Sequence, residues 1–442
     1  MPIGERASAD TVARPLWGRA LLWLAFLGPF FFATYAFANW LASRHAEVGA
    51  VVFEWEKAIP FVAWTIVPYW SIDLCYGLSL LLPRTRHELD AHAKRLLTAQ
   101  LVSVACFIAF PLKFTFERPT TSGFFGWLFD VLLGFDKPFN QAPSLHISLL
   151  VILWSLGLRH VHGRWRIVMH AWALLIALSV LTTFQHHFID IPTGFLAGAL
   201  AVLAFPLDPP ERLRQRDAMR WRIGARYLVG AALCALVGAY AGGWGLWLLW
   251  PAAALALVAA LYAQGEAWRF GKRDGRMDPF AQWLLAPYIG AAWLNSRWWT
   301  RRHPEPSEVV PGVRLSRLAS AAELARHRPQ ALVDLCAELP LSAGRIPVYA
   351  VPMLDLLAPE PEQIERGVAA LTAARAHGDT LVFCALGYSR SASIVAAWLV
   401  ADGRAASIDE AAAIIARARP GIVLSPRHLG QLRNWHERRA RG

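Results

Sequence analysis

Charge is scarce in this chain. Only 17% of its 442 residues are Asp, Glu, Lys or Arg, where a soluble domain carries about a quarter. That shortage excludes an ordinary soluble protein over the whole length. Cysteine is scarce too, and unpaired. Cys75, Cys106, Cys234, Cys336 and Cys384 are scattered, which excludes a disulfide framework and a CxxC metal site. No His/Cys/Asp/Glu cluster has metal-ligand spacing, so no metal and no other cofactor is expected. Internal repeats and low-complexity tracts are absent. The net charge of +12 does not mark a nucleic-acid partner, because the Lys and Arg fall in short clusters between apolar runs. Cytoplasmic membrane loops have that pattern.

What the chain has in abundance is apolar sequence, 56% of it, with 21 Trp, a residue suited to bilayer interfaces. A helix needs about 20 residues to cross a bilayer. Runs near that length fall at 20–41, 59–82, 97–116, 144–159, 167–185, 188–206, 223–242 and 244–264. The expectation is therefore a membrane all-α bundle of about eight spans, with the shorter apolar stretch 123–135 re-entrant or interfacial. Basic residues orient the set. Arg6, Arg14 and Arg19 precede the first run, and Arg84, Arg86, Lys94 and Arg95 lie in the second connection. Arg159, Arg164 and Arg166 lie in the fourth, and Arg212 to Arg226 supply the sixth. The positive-inside bias puts these in the cytoplasm. An even number of spans then returns the C-terminal part to the same side, in a bacterial inner membrane. A cleavable signal peptide is the alternative for the first run.

Residues 266–308 mix Trp, Arg and Lys around the apolar patch Trp283 to Trp293, which reads as an interfacial helix and linker. From 309 the composition turns soluble. Val309–Leu315, Ala331–Leu335, Pro347–Val351 and Leu381–Phe383 are strand-like, while 362–376, 391–402, 408–418 and 427–439 are helical. This is one α/β domain, a central sheet flanked by helices. The expected division is 1–210, a membrane domain of about six spans; 211–265, two further transmembrane helices; 266–308, the linker; and 309–442, the soluble domain.

Two groups of residues carry chemistry. The first runs Cys384-Ala385-Leu386-Gly387-Tyr388-Ser389-Arg390-Ser391, between a strand and a helix. A Cys attacks only as thiolate. A helix N-terminus, a ring of backbone N–H groups and an Arg all favour that form. Gly387, Tyr388 and Ser389 form the phosphate cradle. Arg390 can hold two phosphate oxygens, and Ser391 can donate to the thiolate or assist hydrolysis of a phosphocysteine. Asp355, on a Pro-bounded loop 29 residues before Cys384, is the candidate general acid. Asp334 is a weaker one.

The stretch 310–442 resembles the dual-specificity branch of the protein tyrosine phosphatases. It has Cys-x5-Arg-Ser, the upstream Asp loop and Arg419-Pro420-Gly421 before a last helix. The resemblance implies phosphomonoester hydrolysis through phosphocysteine, on a phosphoprotein or a phospholipid head group. Phe383 stands where that family usually has His.

The second group lies in the membrane half. Ser144 and His146 open the fourth run, and His186 and Asp190 the sixth, at i,i+4 spacing expected to share a helix face. Ser144 can cap its helix, whose free N–H groups suit a phosphate. Asp190 can hold one nitrogen of His186 while the other attacks phosphorus, and His146 can protonate the leaving group. Lys113 and Arg118 can bind phosphate oxygens. His187 reads as a satisfied bundle histidine. These residues resemble the type 2 phosphatidic acid phosphatase superfamily, in the branch that includes inositol phosphorylceramide synthases. The resemblance rests on Lys113-x4-Arg118-Pro119, Pro143-Ser144-Leu145-His146 and Ser179-Val180-x5-His186-x3-Asp190. It implies outer-face hydrolysis or transfer of a lipid-linked phosphate, making the chain bifunctional. A receptor or scaffold that binds phosphate without turnover, and a transporter, are the competing classes. Few ionisable groups fall mid-run, against a transporter.

Overall fold

The computed structural model describes residues 16–208 and 213–441. The leader arginines Arg6 and Arg14, most of the signal-peptide reading and Arg212 lie outside them. The chain divides into two compact units, Met1–Pro209 and Pro210–Gly442.

The first unit is helical: α1 (Trp17–Ala42), α2 (Ile66–Ser79), α3 (Arg86–Ala109), α4 (Gly123–Phe135), α5 (Leu145–His160), α6 (Trp165–Thr182) and α7 (Asp190–Ala204). The second opens with α8 (Met219–Ala241) and α9 (Leu249–Gln264). Among the described residues four helical stretches are long and apolar enough to cross a membrane: Trp17–Ala42, Trp165–Thr182, Met219–Ala241 and Gly243–Gln264. The expectation of eight spans is therefore corrected. The run 59–82 yields only the 14 residues of α2. The run 97–116 ends at Ala109, inside a helix whose first half carries Arg86, Glu88, Asp90, Lys94 and Arg95. Helices α5 and α7 have 16 and 15 residues, about 24 and 22 Å at 1.5 Å per residue, short of a hydrocarbon core of about 30 Å. The short stretch 123–135 forms α4.

Arg95 is not a loop charge. It lies buried in α3 and donates through Nε to the Phe205 carbonyl (2.7 Å) and through Nη2 to that of Val202 (3.2 Å). It thereby satisfies carbonyls at the end of α7 that have no partner within that helix. Glycines set how closely α7 approaches α5: a Cβ on Gly194 would lie 2.5 Å from the Ser144 carbonyl oxygen, and one on Gly198 2.7 Å from that of Ser148.

The second unit continues with a hairpin, β1 (Lys272–Arg273) and β2 (Arg276–Met277), then α10 (Pro279–Leu284) and α11 (Ala286–Trp299). Asp274-Gly275 turns the hairpin with both residues at positive φ (47° and 76°), the turn that Asp-Gly favours. The remaining elements are β3 (Ser307–Val310), β4 (Val313–Arg317), α12 (Ala321–His327), β5 (Ala331–Cys336), β6 (Val348–Met353), α13 (Pro361–Arg375), β7 (Thr380–Cys384), α14 (Arg390–Ala401), α15 (Ile408–Ala418) and α16 (Pro426–Arg441). Where one strand was expected over 309–315, Pro311-Gly312 breaks the run into the antiparallel pair β3–β4, with Gly312 at φ 76°.

The sheet order is β3-β4-β7-β5-β6, with β4, β7, β5 and β6 parallel. Both faces are covered, as a parallel sheet requires. Val382 and Cys384 of β7 face a core built with α13 to α16. Leu381 and Phe383 face the other, against which Ile289 and Ala292 of α11 pack.

Residues 266–308 are thus integral to this unit rather than a linker. Lys272 Nζ reaches Asp334 (2.6 Å) and donates to the Cys336 carbonyl (2.7 Å), both groups buried. Removing one partner of a buried pair leaves the other uncompensated, at about 3–5 kcal/mol. Lys272→Met should accordingly lower the thermal midpoint of the detergent-solubilised protein, whereas an unchanged midpoint would make the pair incidental. Asp334 has a structural role here and is set aside as an acid.

Candidate active sites

Strand β7 delivers Cys384 at its carboxyl end and α14 begins at Arg390. The intervening loop folds back on the sulfur. The Gly387 N–H donates to Sγ at 3.2 Å and the Ser391 hydroxyl lies 3.4 Å from it. Gly387 has φ 76°, and a Cβ there would meet the Ser316 carbonyl oxygen at 2.3 Å, so this position demands glycine. Burial pushes the thiol up. The Arg390 charge and bonds from Ser391 outweigh it, and the Cys384 thiol sits below its ordinary value.

The loop carbonyls are held from behind. Arg419 donates through Nε to Gly387 O (3.0 Å) and through Nη2 to Leu386 O (3.4 Å), and its guanidinium lies 5.0 Å from the centroid of the Tyr388 ring. Ser296 of α11 donates to Ala385 O at 2.5 Å. Ser389 Oγ lies 2.8 Å from His428 Nε2, whose Nδ1 meets Ser425 Oγ at 2.7 Å. With its hydroxyl engaged there, Ser389 has its N–H rather than its side chain to offer a phosphate. The Tyr388 side chain is likewise turned to Arg419.

Arg390 is buried and bidentate on a residue the sequence reading missed. Its Nη1 and Nη2 donate to Glu338 at 2.8 and 2.6 Å, Nη1 donates also to Met353 O (2.8 Å), and Nη2 meets Asp355 at 3.0 Å. The fork expected to face two phosphate oxygens is therefore turned mostly onto Glu338. Its buried Nε is left without a partner, ready for one oxygen, and Nη2 can supply a second by releasing Asp355. Burial raises the Glu338 carboxyl, but Arg390 holds it below its usual range. Asp355 goes the other way: burial and the neighbouring Glu338 charge outweigh Arg390 and raise it. A lone Glu after a buried strand carries no signal in sequence, which is why Glu338 escaped notice.

A cavity of about 460 Å³ opens over this group. It is lined by Glu338, Asp355, Ala385 and Leu386 below and by residues of α8, α9 and α11 above. The acid loop is tied to α9 and to the segment before α8. Leu354 N donates to Gln215 Oε1 (2.6 Å), Gln215 Nε2 donates to Ala358 O (3.3 Å), and the Tyr262 hydroxyl donates to Asp355 O (3.2 Å).

In the first unit, His186 and Asp190 do not share a helix face. His186 lies in the turn before α7, and the turn brings Nδ1 within 3.0 Å of Asp190 Oδ2. His186 Nε2 lies 3.1 Å from Ser144 Oγ, which also accepts from Ile147 N (3.3 Å) to cap α5. Arg118 donates through Nε to Thr183 O (3.1 Å) and through Nη2 to Phe184 O (3.2 Å), at the base of the same turn. His146 is turned away from its expected task. Its Nε2 donates to Tyr69 O (2.8 Å) and its ring stacks on Tyr69 at 3.9 Å, leaving only Nδ1 for a proton transfer.

A cavity of about 500 Å³ is lined by Arg118, Asp130, Asp136, Lys137, Phe184 and Gln185, among others; Lys113, Ser144, His146, His186 and Asp190 are not among its described lining residues. Asp136 accepts from the Tyr35 hydroxyl (2.8 Å). His187 meets Glu56 (3.1 Å) and accepts from Thr115 N (3.2 Å), a satisfied histidine. Among the described residues no cluster could hold a metal ion.

Residues 320–438 match the family model "Dual specificity phosphatase, catalytic domain", and this part of the chain is such a domain. Solved structures similar to it include human DUSP28 (26% identity, 31% of this chain and 96% of that one, TM-score 0.28). Tk-PTP in its active form is 27% identical, over 31% of this chain and 99% of that one, with a TM-score of 0.29. PTPMT1, solved with PI(5)P, is 20% identical, over 31% and 97%, with a TM-score of 0.28.

Proposed function

We propose that the chain is a membrane phosphatase whose Cys384 site hydrolyses phosphate monoesters on the cytoplasmic side of a bacterial inner membrane. The observation that carries this reading is the opposite drift of two facing groups. The Cys384 thiol is pushed toward thiolate while Asp355 is pushed toward its protonated form, the split that an attacking nucleophile and a general acid require. The thiolate attacks phosphorus, the ester P–O bond breaks, and Asp355 gives its proton to the leaving oxygen. Water then cleaves the Sγ–P bond, returning a proton to Asp355 and releasing inorganic phosphate. Arg390 and the loop N–H groups follow the charge on the phosphoryl oxygens. Ser391, 3.4 Å from Sγ, is placed to stabilise the departing thiolate.

Turnover then needs a thiolate and a protonated carboxyl together, so kcat/KM for p-nitrophenyl phosphate by the full-length protein should be bell-shaped in pH. It rises as Cys384 ionises and falls as Asp355 does. Asp355→Asn should cut the rate by about 10²–10⁴ and leave only the rising limb. A variant that keeps the falling limb would assign the acid elsewhere. An ordered loop that binds phosphate without any turnover would favour the receptor reading.

A second activity is favoured by the linkage Asp190–His186–Ser144 at 3.0 and 3.1 Å. It has the form of an oriented histidine whose second nitrogen can attack phosphorus. We assign this group the hydrolysis or transfer of a lipid-linked phosphate at the outer face. His186→Ala should abolish lipid-phosphate turnover at that face and spare turnover at Cys384. Retention of both would remove the assignment.

A further inference from the structure

We propose that the Cys384 site takes its phosphate from a membrane lipid bearing a terminal phosphate monoester. The lipid's apolar part would lie in the cleft between α9 and α11. This rests on the reading of Cys384 as a phosphatase nucleophile and names the substrate class of that site.

The cleft has a polar side and an apolar one. Glu338 and Asp355 line it with Ala385 and Leu386 of the phosphate loop, and α8, α9 and α11 add Tyr227, Tyr288 and Asn295 together with the apolar Pro251, Leu255, Pro287, Ala291 and Ala292. Along α11 the lining runs from Asn295 to Pro287, about 12 Å at 1.5 Å per residue. Trp250, at the same end of α9 as Pro251, donates from Nε1 to Trp283 O and Leu284 O (3.2 Å each) and stacks on Trp283. The apolar end of α9 is thus fastened to the segment leading into α11.

Helices α8 and α9 belong to stretches long and apolar enough to cross a membrane. Beyond the cleft α8 leaves Leu228, Val229, Leu233, Leu236 and Val237 exposed, a surface suited to acyl chains. Helix α11 has two jobs. One face carries Ser296, bonded to the loop carbonyl of Ala385. The other exposes Trp293, Leu294 and Trp298, with Arg297 over Trp293 and Arg301 over Trp298. Aromatic rings beside cations suit the headgroup layer. The loop that binds phosphate is therefore bonded to an interfacial helix, and its cleft opens along two hydrophobic ones.

Charge narrows the ligand further. The charged residues lining the cleft are Glu338 and Asp355, both acidic. Arg390 lies beneath, its fork shared with them. The cleft thus has one place for a phosphate and nothing cationic for a second. A lipid with a single terminal phosphate and an otherwise uncharged head fits. A polyphosphorylated head group or an acidic phosphopeptide does not.

The test uses the full-length protein in His186→Ala background, so that turnover reports on Cys384, in mixed micelles of phosphatidylcholine. Long-chain phosphatidic acid, glycerol 3-phosphate, a phosphotyrosine peptide and p-nitrophenyl phosphate are compared by phosphate release. The expected result is a kcat/KM for phosphatidic acid at least about 100-fold above those for glycerol 3-phosphate and the peptide. That activity should be absent in the Cys384→Ser companion. Filling the cleft with Ala291→Trp, or making its wall polar with Leu255→Gln, should lower the ratio of phosphatidic acid to p-nitrophenyl phosphate turnover about tenfold. The second substitution serves if the first does not fold. Hydrolysis of p-nitrophenyl phosphate with no preference for the lipid, or with the peptide preferred, overturns the lipid assignment and leaves the phosphatase standing. No hydrolysis of any substrate overturns the phosphatase reading and the lipid assignment with it.

Discussion

Cys384→Ser should lower kcat for p-nitrophenyl phosphate by on the order of 10⁶-fold, the loss that follows removal of a covalent nucleophile. The size follows from how the sulfur is held. Its ionisation depends on Arg390, on the Ser391 hydroxyl at 3.4 Å and on the Gly387 N–H at 3.2 Å, at the N-terminus of α14. None of these makes an alcohol ionise near neutral pH. The substitution should leave the fold intact, since sulfur and oxygen occupy the same rotamer on the last residue of a fully buried strand. Phosphate release measured alongside the thermal midpoint separates loss of chemistry from loss of structure.

The second large effect belongs to Glu338, which acts through Arg390 and Asp355. It takes both terminal nitrogens of Arg390, at 2.6 and 2.8 Å, and its charge helps keep Asp355 protonated. Glu338→Gln should act in three ways. Half-unpairing a buried arginine should cost about 3 kcal/mol of stability. The displaced guanidinium should lower kcat by about 10²-fold, as small misplacements in an active site do. Finally, Asp355 should lose a like charge that raises it and keep the Arg390 charge that lowers it, so the falling limb of the pH profile should move to lower pH. A structural role alone would produce the first effect without the third, and the pH profile therefore decides the matter.

The C-terminal α/β domain is the more legible part of the sequence. β7 and α14 fall where the apolar run Thr380–Phe383 and the alanine-containing 392–400 place them, because two buried apolar elements are told apart by their length and composition. Cys384, Arg390 and Asp355 stand in one cluster because the loops that carry them follow the carboxyl ends of β7 and β6, parallel strands on either side of β5. What sequence could not supply was how each side chain is used. Arg390 is held by Glu338 and Ser389 by His428, partners 52 and 39 residues away with no motif of their own. Spans in the helical part are overcounted from sequence because hydropathy sums residues without seeing where a helix stops. Pro111 and the residues around it end α3 at Ala109, and α5 and α7 stop after 16 and 15 residues. The contacts that 266–308 make with the domain are not legible in sequence, because Lys272 and Ser296 find their partners in Asp334 and Ala385, contributed by the sheet and the loop.

The central claim is that phosphate passes through the sulfur of Cys384. Rapid-quench labelling tests it most directly. The full-length Asp355→Asn protein is mixed with a phosphate-labelled aryl ester whose phenol is more acidic than p-nitrophenol, so that its departure depends less on the acid, and the bound label is located by peptide mass spectrometry. Phosphate should appear on the peptide containing Cys384, as an S-phosphocysteine, and be absent from that peptide in Cys384→Ser. Undiminished turnover in Cys384→Ser, or label found on His186 with the Cys384 peptide unmodified, would contradict the central claim.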